Sequence, residues 1–353
     1  MSHPHRAARL ERRVHDLVGQ QLGSRGWTPR VVAHTGYGAS RAAGPSAGPS
    51  TGPNAGGWVR VLARVILAPP GTPSAARTDG RGWRRFVSTA AAGVPLTIDL
   101  GGETHTVSSG ADGYVDVRLD AALPPGWASA SLTVGAAAPV SAPLRIVGPD
   151  TSLGLLSDLD DTVIVTMLPR PLLAFRNAFL VREDERRAVP GMAELYDEVL
   201  AGSVDAFVVY LSTGAWNTAR PMTAFLDRHG YPAGPLLMTD WGPTSDGWFR
   251  SGQDHKRTTL RRLFEELPQL RWLLVGDDGQ HDPTLYAEAV TAFPDRVVGV
   301  AIRELTLSEQ LAQVTSPAPG PDVDDPSTRI TVRAPDGHAL AQALRDRGIL
   351  PGA

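Results

Sequence analysis

Apolar and polar residues alternate along this chain in two rhythms, and the change between them falls near Pro149. In WVRVLARVIL, starting at Trp58, the apolar Val59, Val61, Ala63, Val65 and Leu67 are interleaved with Arg60 and Arg64, the period of a strand with one buried face. PLTIDL, YVDVRL, SLTV and PLRIV repeat that rhythm, parted by the turn-forming GGE, ADG and LPPGW. Short strands at this spacing predict a small antiparallel β-sandwich over 58–148. After it the strand-like runs LGLLSDLD, AFVVYLST, RWLLVGDD and RVVGVAI are apolar almost throughout, and they alternate with helical stretches such as GMAELYDEVLAG and HKRTTLRRLFEEL. Runs of that kind are buried on both faces, which predicts an α/β fold over 149–315, a parallel sheet wrapped by helices.

The flanks read differently. Leu10, Val14, Leu17 and Val18 fall at helical spacing and predict an amphipathic helix within 1–24. GYGASRAAGPSAGPSTGPNAGG makes 25–57 a Gly/Pro-rich linker; its paired glycines complete neither GxGxxG nor a GKS or GKT phosphate loop. TSPAPGPDVDDPS opens 316–353, a linker followed by a strand and a closing helix.

Composition narrows the function classes. Lys plus Arg number 34 and Asp plus Glu 37, a formal charge of −3, so there is no electrostatic case for a nucleic-acid partner. Cysteine is absent, which excludes disulfides and thiol catalysis. No run approaches the roughly 18 apolar residues of a transmembrane helix. The basic MSHPHRAARLERRVHDLVGQ is not followed by the apolar stretch of a signal peptide. The expectation is a soluble cytoplasmic protein of 353 residues, long enough for two cores.

Chemistry concentrates at the carboxyl ends of the α/β strands, where open parallel sheets bind ligands. SDLDDTV crowds Asp158, Asp160 and Asp161 just after LGLL, a repulsive arrangement unless a positive partner sits among them. Ser212 ends the second run, and Asp277, Asp278 and Asp282 follow the third. Lys256 is read as opening a helix just after Asp254, its candidate N-cap. An EF-hand reading of DLDDTVIVTMLP fails, because Val163 stands in the glycine position and Pro169 in that of the glutamate. Taken singly, Ser212 reads as a strand-end cap, Lys256 as a solvated helix residue and GDDGQHDP as a turn; in this order, on these elements, they form one constellation.

That constellation resembles the haloacid dehalogenase superfamily of phosphohydrolases. More narrowly, SDLDDTV, YLSTGAWN, PAGPLLMTDWG and HKRTTLRRLFEELPQLRWLLVGDDGQHDPTLYAE resemble the catalytic domain of the actin-patch-associated phosphatidate phosphatase family, over roughly 150–305. GYG, WRRFVSTAAAGVPLTIDL and DGYVDV are similar to the N-terminal domain of that family's bacterial members. The resemblance implies a Rossmann-like sheet and a Mg2+-dependent phosphatase working through an aspartyl-phosphate. Asp158 would be the nucleophile, Asp160 the general acid and base, Ser212 a donor to the phosphoryl oxygens, and Lys256 a neutralising charge aided by its helix N-terminus. Metal ligation would fall to Asp158, Asp160 (through its backbone carbonyl), Asp277 and Asp282, with Asp278 as an added candidate. Two departures stand out: Gly214 and Ala215 replace the family's serine-rich stretch, and GDD replaces GDS.

An acid at Asp160 favours turnover of a phosphoenzyme, hence a phosphatase or a phosphomutase. Between the first two motifs, LPRPLLAFRNAFLVREDERRAVPG is too short for a large cap domain. Leu172, Phe175 and Phe179 share one helical face, with Arg176 and Arg182 nearby. They read as a flap packed on its own domain, or as a helix touching a membrane lipid, which would give peripheral membrane contact. The substrate expectation is phosphatidate or a related phospholipid. The alternatives are a phosphatase of soluble phosphometabolites or phosphoproteins, and a non-catalytic binding protein on a phosphatase scaffold.

Overall fold

The chain divides into two units, Met1–Gly148 and Pro149–Ala353, and the alternating apolar rhythm lies in the first. The computed structural model describes residues 24–40, 57–70, 89–165, 187–203, 205–239, 248–279, 281–306, 309 and 326–350. The helix expected within 1–24 and the flap with Leu172, Phe175, Arg176, Phe179 and Arg182 lie outside them.

Unit 1 contains β1 (Thr28–Ser40), β2 (Gly57–Ala68), β3 (Thr89–Ala90), β4 (Pro95–Leu100), β5 (Glu103–Ser108), β6 (Tyr114–Asp120), β7 (Gly126–Val134) and β8 (Val140–Val147). They form a single hydrogen-bonded sheet in the order β3-β2-β1-β8-β7-β4-β5, with β6 also on β2. Val59, Val61, Ala63 and Val65 of β2 share one buried cluster with Leu96 and Ile98 of β4 and Leu132 of β7. The sheet thus turns the apolar faces of distant strands onto one core.

Two expectations are corrected here. The sheet is mixed rather than antiparallel, because β1 runs parallel to β8. Part of the expected linker 25–57 is β1, a strand paired with β2 along its length. Two of the glycines that contributed to the linker reading, Gly36 and Gly38, serve the pairing. A Cβ on Gly36 would lie 2.2 Å from the Arg60 carbonyl oxygen, and one on Gly38 2.2 Å from that of Trp58.

Unit 2 follows as β9 (Leu153–Asp158), β10 (Ile164–Val165), β11 (Arg187–Ala188), α1 (Met192–Ala201), β12 (Phe207–Ala215), α2 (Ala219–Arg228), β13 (Leu236–Thr239), α3 (Trp248–Glu266), β14 (Arg271–Asp277), α4 (Asp282–Ala292), β15 (Val297–Arg303), β16 (Thr331–Ala334) and α5 (Gly337–Asp346). The order β13-β12-β9-β14-β15-β16 is parallel throughout. From β9 the chain goes out to β12 and β13, then returns to β14, β15 and β16 on the other side. The carboxyl end of β9 is therefore a topological switch point, where the diverging connections leave a crevice. The α/β unit runs past residue 315, because β16 forms the edge of this sheet.

Packing explains the register. Gly154 leaves room for the Trp272 ring, which a Cβ would meet at 2.5 Å, and Trp272 in turn stacks on Phe264 of α3 at 5.6 Å. Met192, Leu195, Tyr196 and Val199 form the buried stripe of α1 at helical spacing. Asp336 caps α5 by accepting from the Ala339 amide.

Candidate active site

Asp158 is the last residue of β9, Asp277 the last of β14, and Asp282 the first of α4. β9 and β14 are adjacent, so their ends fall side by side. Lys256 comes from the middle of α3, on the same buried stripe as Thr259, Leu260, Leu263 and Phe264. Packing that stripe on the sheet drives the ammonium into the cluster: its Nζ lies 2.7 Å from Asp158 Oδ1 and 2.7 Å from Asp282 Oδ1. Since α3 begins at Trp248, the expected opening of a helix at Asp254 is corrected. Lys256 is two turns inside, and the helix-terminus contribution expected at Lys256 falls away, because that effect fades within the first turn.

Electrostatics are set by burial. Asp158, Asp277, Asp282 and Lys256 are each at most 5 % exposed. Burial pushes the Asp158 carboxyl well above the usual range against the lowering pull of Lys256, while Asp282 and Asp160 push it further up. Burial likewise raises Asp277, with Asp282, Asp158 and Asp161 adding to it. At Lys256 burial works to lower the pKa, but Asp158 and Asp282 outweigh it and the ammonium stays charged.

Carboxylate oxygens of Asp158, Asp277 and Asp282 lie within 4.8 Å of one another. The Oδ2 atoms of all three are buried without a hydrogen-bond partner. One ammonium cannot balance three carboxylates, and the donors are all hard oxygens. A divalent cation such as Mg2+ fits that set.

The other expected residues surround this group. The Ser212 hydroxyl accepts from the Gly214 amide at 2.9 Å and donates to Asp160 Oδ2 at 3.3 Å. A side chain at Gly214 would press on that hydroxyl, since a Cβ there would lie 3.0 Å from Ser212 Oγ. Asp160 is partly exposed and its carboxylate stands outside the three-carboxylate group. Asp278 is also outside it, and its Oδ1 accepts from the Leu305 amide at 2.9 Å. The buried Asp161 sits in the left-handed region, φ 60°, and turns its carbonyl to the Arg303 guanidinium at 2.7 Å.

Three participants escaped the sequence reading. Gly276 gives Asp282 its place, because a Cβ there would lie 2.6 Å from Asp282 Oδ2. The Ser157 hydroxyl bonds the Asp158 carbonyl and the buried Tyr196 hydroxyl, both at 2.6 Å, and so braces the end of β9. Arg303 ends the apolar VVGVAIR, the same signal that marked Asp158 and Asp277.

Residues 153–304 match the family model described as phosphatidate phosphatase APP1, catalytic domain, and the resemblance drawn from the motifs holds. Phosphatidate phosphatase APP1 of Saccharomyces cerevisiae is 24 % identical over 233 residues, 62 % of this chain and 39 % of the yeast protein. An uncharacterized protein of Schizosaccharomyces pombe is 21 % identical over 154 residues, 43 % of this chain and 25 % of its own length. The chain thus spans well under half of these curated relatives. Among solved structures, the HAD domain of the effector protein Lem4 from Legionella pneumophila is 12 % identical, with a TM-score of 0.29 over 44 % of this chain and 86 % of that one. At that level the likeness carries no argument.

Proposed function

We propose that this chain is a Mg2+-dependent phosphoric monoester hydrolase acting through an aspartyl-phosphate, with phosphatidate or a related phospholipid as substrate. The observation that carries the reading is the buried Asp158–Lys256–Asp282 bridge with Asp277 beside it, at the switch point of a parallel sheet. A plain structural ion pair needs one carboxylate per ammonium and no further buried acids.

An Asp158 oxygen attacks phosphorus as the bond to the leaving oxygen breaks, and Asp160 gives that oxygen its proton. Asp160 then takes a proton from the water that attacks the aspartyl-phosphate, releasing inorganic phosphate and restoring both carboxyls. Lys256 holds Asp158 in place and offsets charge on the transferring group. Ser212, 3.3 Å from Asp160, orients that acid and offers a hydroxyl to the phosphoryl oxygens. Asp158, Asp277 and Asp282 would hold Mg2+, which supplies charge neutralisation between the anionic nucleophile and the phosphate. The lipid substrate is supported by the matched family's description and by the yeast relative's name. A cytoplasmic protein touching the membrane peripherally is the matching location; no helix among the described residues is long and apolar enough to cross a membrane.

The test is a substrate panel with added Mg2+, with Asp158→Asn as blank. Phosphatidate in mixed micelles should be turned over faster than soluble phosphate monoesters. Equal or better turnover of the soluble compounds overturns the lipid assignment, and wild-type phosphate release no greater than the blank overturns the enzyme.

A further inference from the structure

The ladder between β9 and β14 ends at the pair Ser157–Val275, short of both catalytic loops. Asp158 and Asp277 therefore face each other with no backbone bonds of that ladder between them: Asp158 is paired to Leu211 of β12 and Asp277 to Arg303 of β15, although their carboxylates lie within a few ångströms. The Lys256 ammonium bridges the side chains of Asp158 and Asp282, and a second connection, through the backbone, comes from β15.

β15 extends further. Its pairing with β14 reaches Asp277–Arg303, and the Asp278 amide then donates to the Arg303 carbonyl at 3.0 Å. Asp278 Oδ1 closes the connection by accepting from the Leu305 amide at 2.9 Å. From the same point the Arg303 side chain reaches past β14. Its Nη1 donates to the Asp161 carbonyl at 2.7 Å, its Nε to the Pro335 carbonyl at 3.2 Å and its Nη2 to Glu309 Oε1 at 2.7 Å. Glu309 is held in turn by the Thr306 amide and hydroxyl, both at 2.8 Å. Arg303 is 4 % exposed and Glu309 5 %. A buried ion pair is costly to assemble, and its planar five-donor fork suits a fixed geometric task. Asp161 has a left-handed backbone that a non-glycine residue keeps only where its surroundings impose it, and the Arg303 bond lies on that residue's carbonyl.

We infer that Arg303 and Asp278 are positioning residues forming a strap from the end of β15, which sets the nucleophile loop that follows Asp158 against the end of β14 that carries Asp277 and Asp278. In this assignment Asp278 fixes the loop that carries Asp277 and Asp282 and does not ligate the metal. The inference rests on the proposed phosphatase reading for its effect on turnover, and on the fold alone for its effect on loop order.

The experiment uses the full chain and three readouts. Asp278→Asn keeps an acceptor for the Leu305 amide, whereas Asp278→Ala removes it. In calorimetric titration with Mg2+, Asp278→Asn should bind as wild type does, while Asp277→Asn loses binding. In turnover, Asp278→Ala should lose on the order of tenfold to a hundredfold in kcat with KM little changed, and Asp278→Asn should restore most of it. The paired Arg303→Met/Glu309→Met variant removes both buried charges, so that neither is stranded. Hydrogen exchange at the Asp161, Val163 and Ile164 amides should then quicken at least about tenfold, with the β9 amides unchanged. Loss of Mg2+ binding in Asp278→Asn equal to that in Asp277→Asn overturns the Asp278 assignment, and unchanged exchange at 161–164 overturns the strap. If wild type releases no phosphate, the phosphatase reading fails by itself and the exchange result still decides this one.

Discussion

Replacing Lys256 with Met tests the charge balance at the centre of the site. The side chain is close in volume to lysine, so the main change is loss of the ammonium lying 2.7 Å from both Asp158 and Asp282. At an effective dielectric constant of about 20, each contact corresponds to roughly 6 kcal/mol of Coulomb attraction. Desolvating the ammonium offsets much of that, and breaking a buried pair by removing one partner costs about 3–5 kcal/mol net. In a unit of about 200 residues this lowers the melting temperature by roughly 6–20 °C. The loss should be larger in EDTA at pH 7.5 than at lower pH, because the acids release their protons as pH rises and then meet no counter-charge. It should shrink at pH 5, because carboxyls already raised by burial take up protons once the lysine's lowering pull is gone. It should shrink as well in excess Mg2+. Calorimetry of the Mg2+-sensitive transition measures all of these. A loss below about 1 kcal/mol in EDTA, or one equally large at both pH values, refutes the reasoning.

Gly276→Ala would push a Cβ to 2.6 Å from Asp282 Oδ2, so hydrolysis should fall on the order of a hundredfold with circular dichroism unchanged; activity within twofold of wild type would contradict the placement of Asp282. In the metal-free protein, Asp158 and Asp277 keep protons that the unfolded chain releases above about pH 4. Stability in EDTA should therefore fall as pH rises from there toward neutrality, and thermal melts in a pH series check the sign. Gly36→Ala in β1 should lower the melting transition of unit 1 by about 1–3 kcal/mol, since its Cβ would press on the Arg60 carbonyl; a wild-type melt would show that the two strands can separate without loss.

Much of the site was legible because its chemistry obeys position along the chain. Polar residues that end apolar strands in a parallel fold must fall on one rim, and this alone gathered Asp158, Ser212 and Asp277. The same rule applied to Arg303, but an arginine closing a strand also reads as a charge on its way to solvent. Lys256 was placed on the right helix and in the wrong part of it, because capping residues mark a helix start only where the pattern before them is clear. The glycines of β1 misled for a related reason: close approach of two strands and a flexible linker ask for the same residue.

The sequence by itself determined the two rhythms of burial, the α/β class of the second half and the acids that crowd its strand ends, since each depends on side-chain type and local spacing. Tertiary structure alone decided which acids share a charge. Asp278 and Asp277 are neighbours in sequence, yet one faces the Leu305 amide and the other the buried cluster, because successive residues at a strand end point in opposite directions. It also decided that unit 1 is one mixed sheet and that β16 completes the second, because strand partners are chosen by long-range packing that no local pattern encodes.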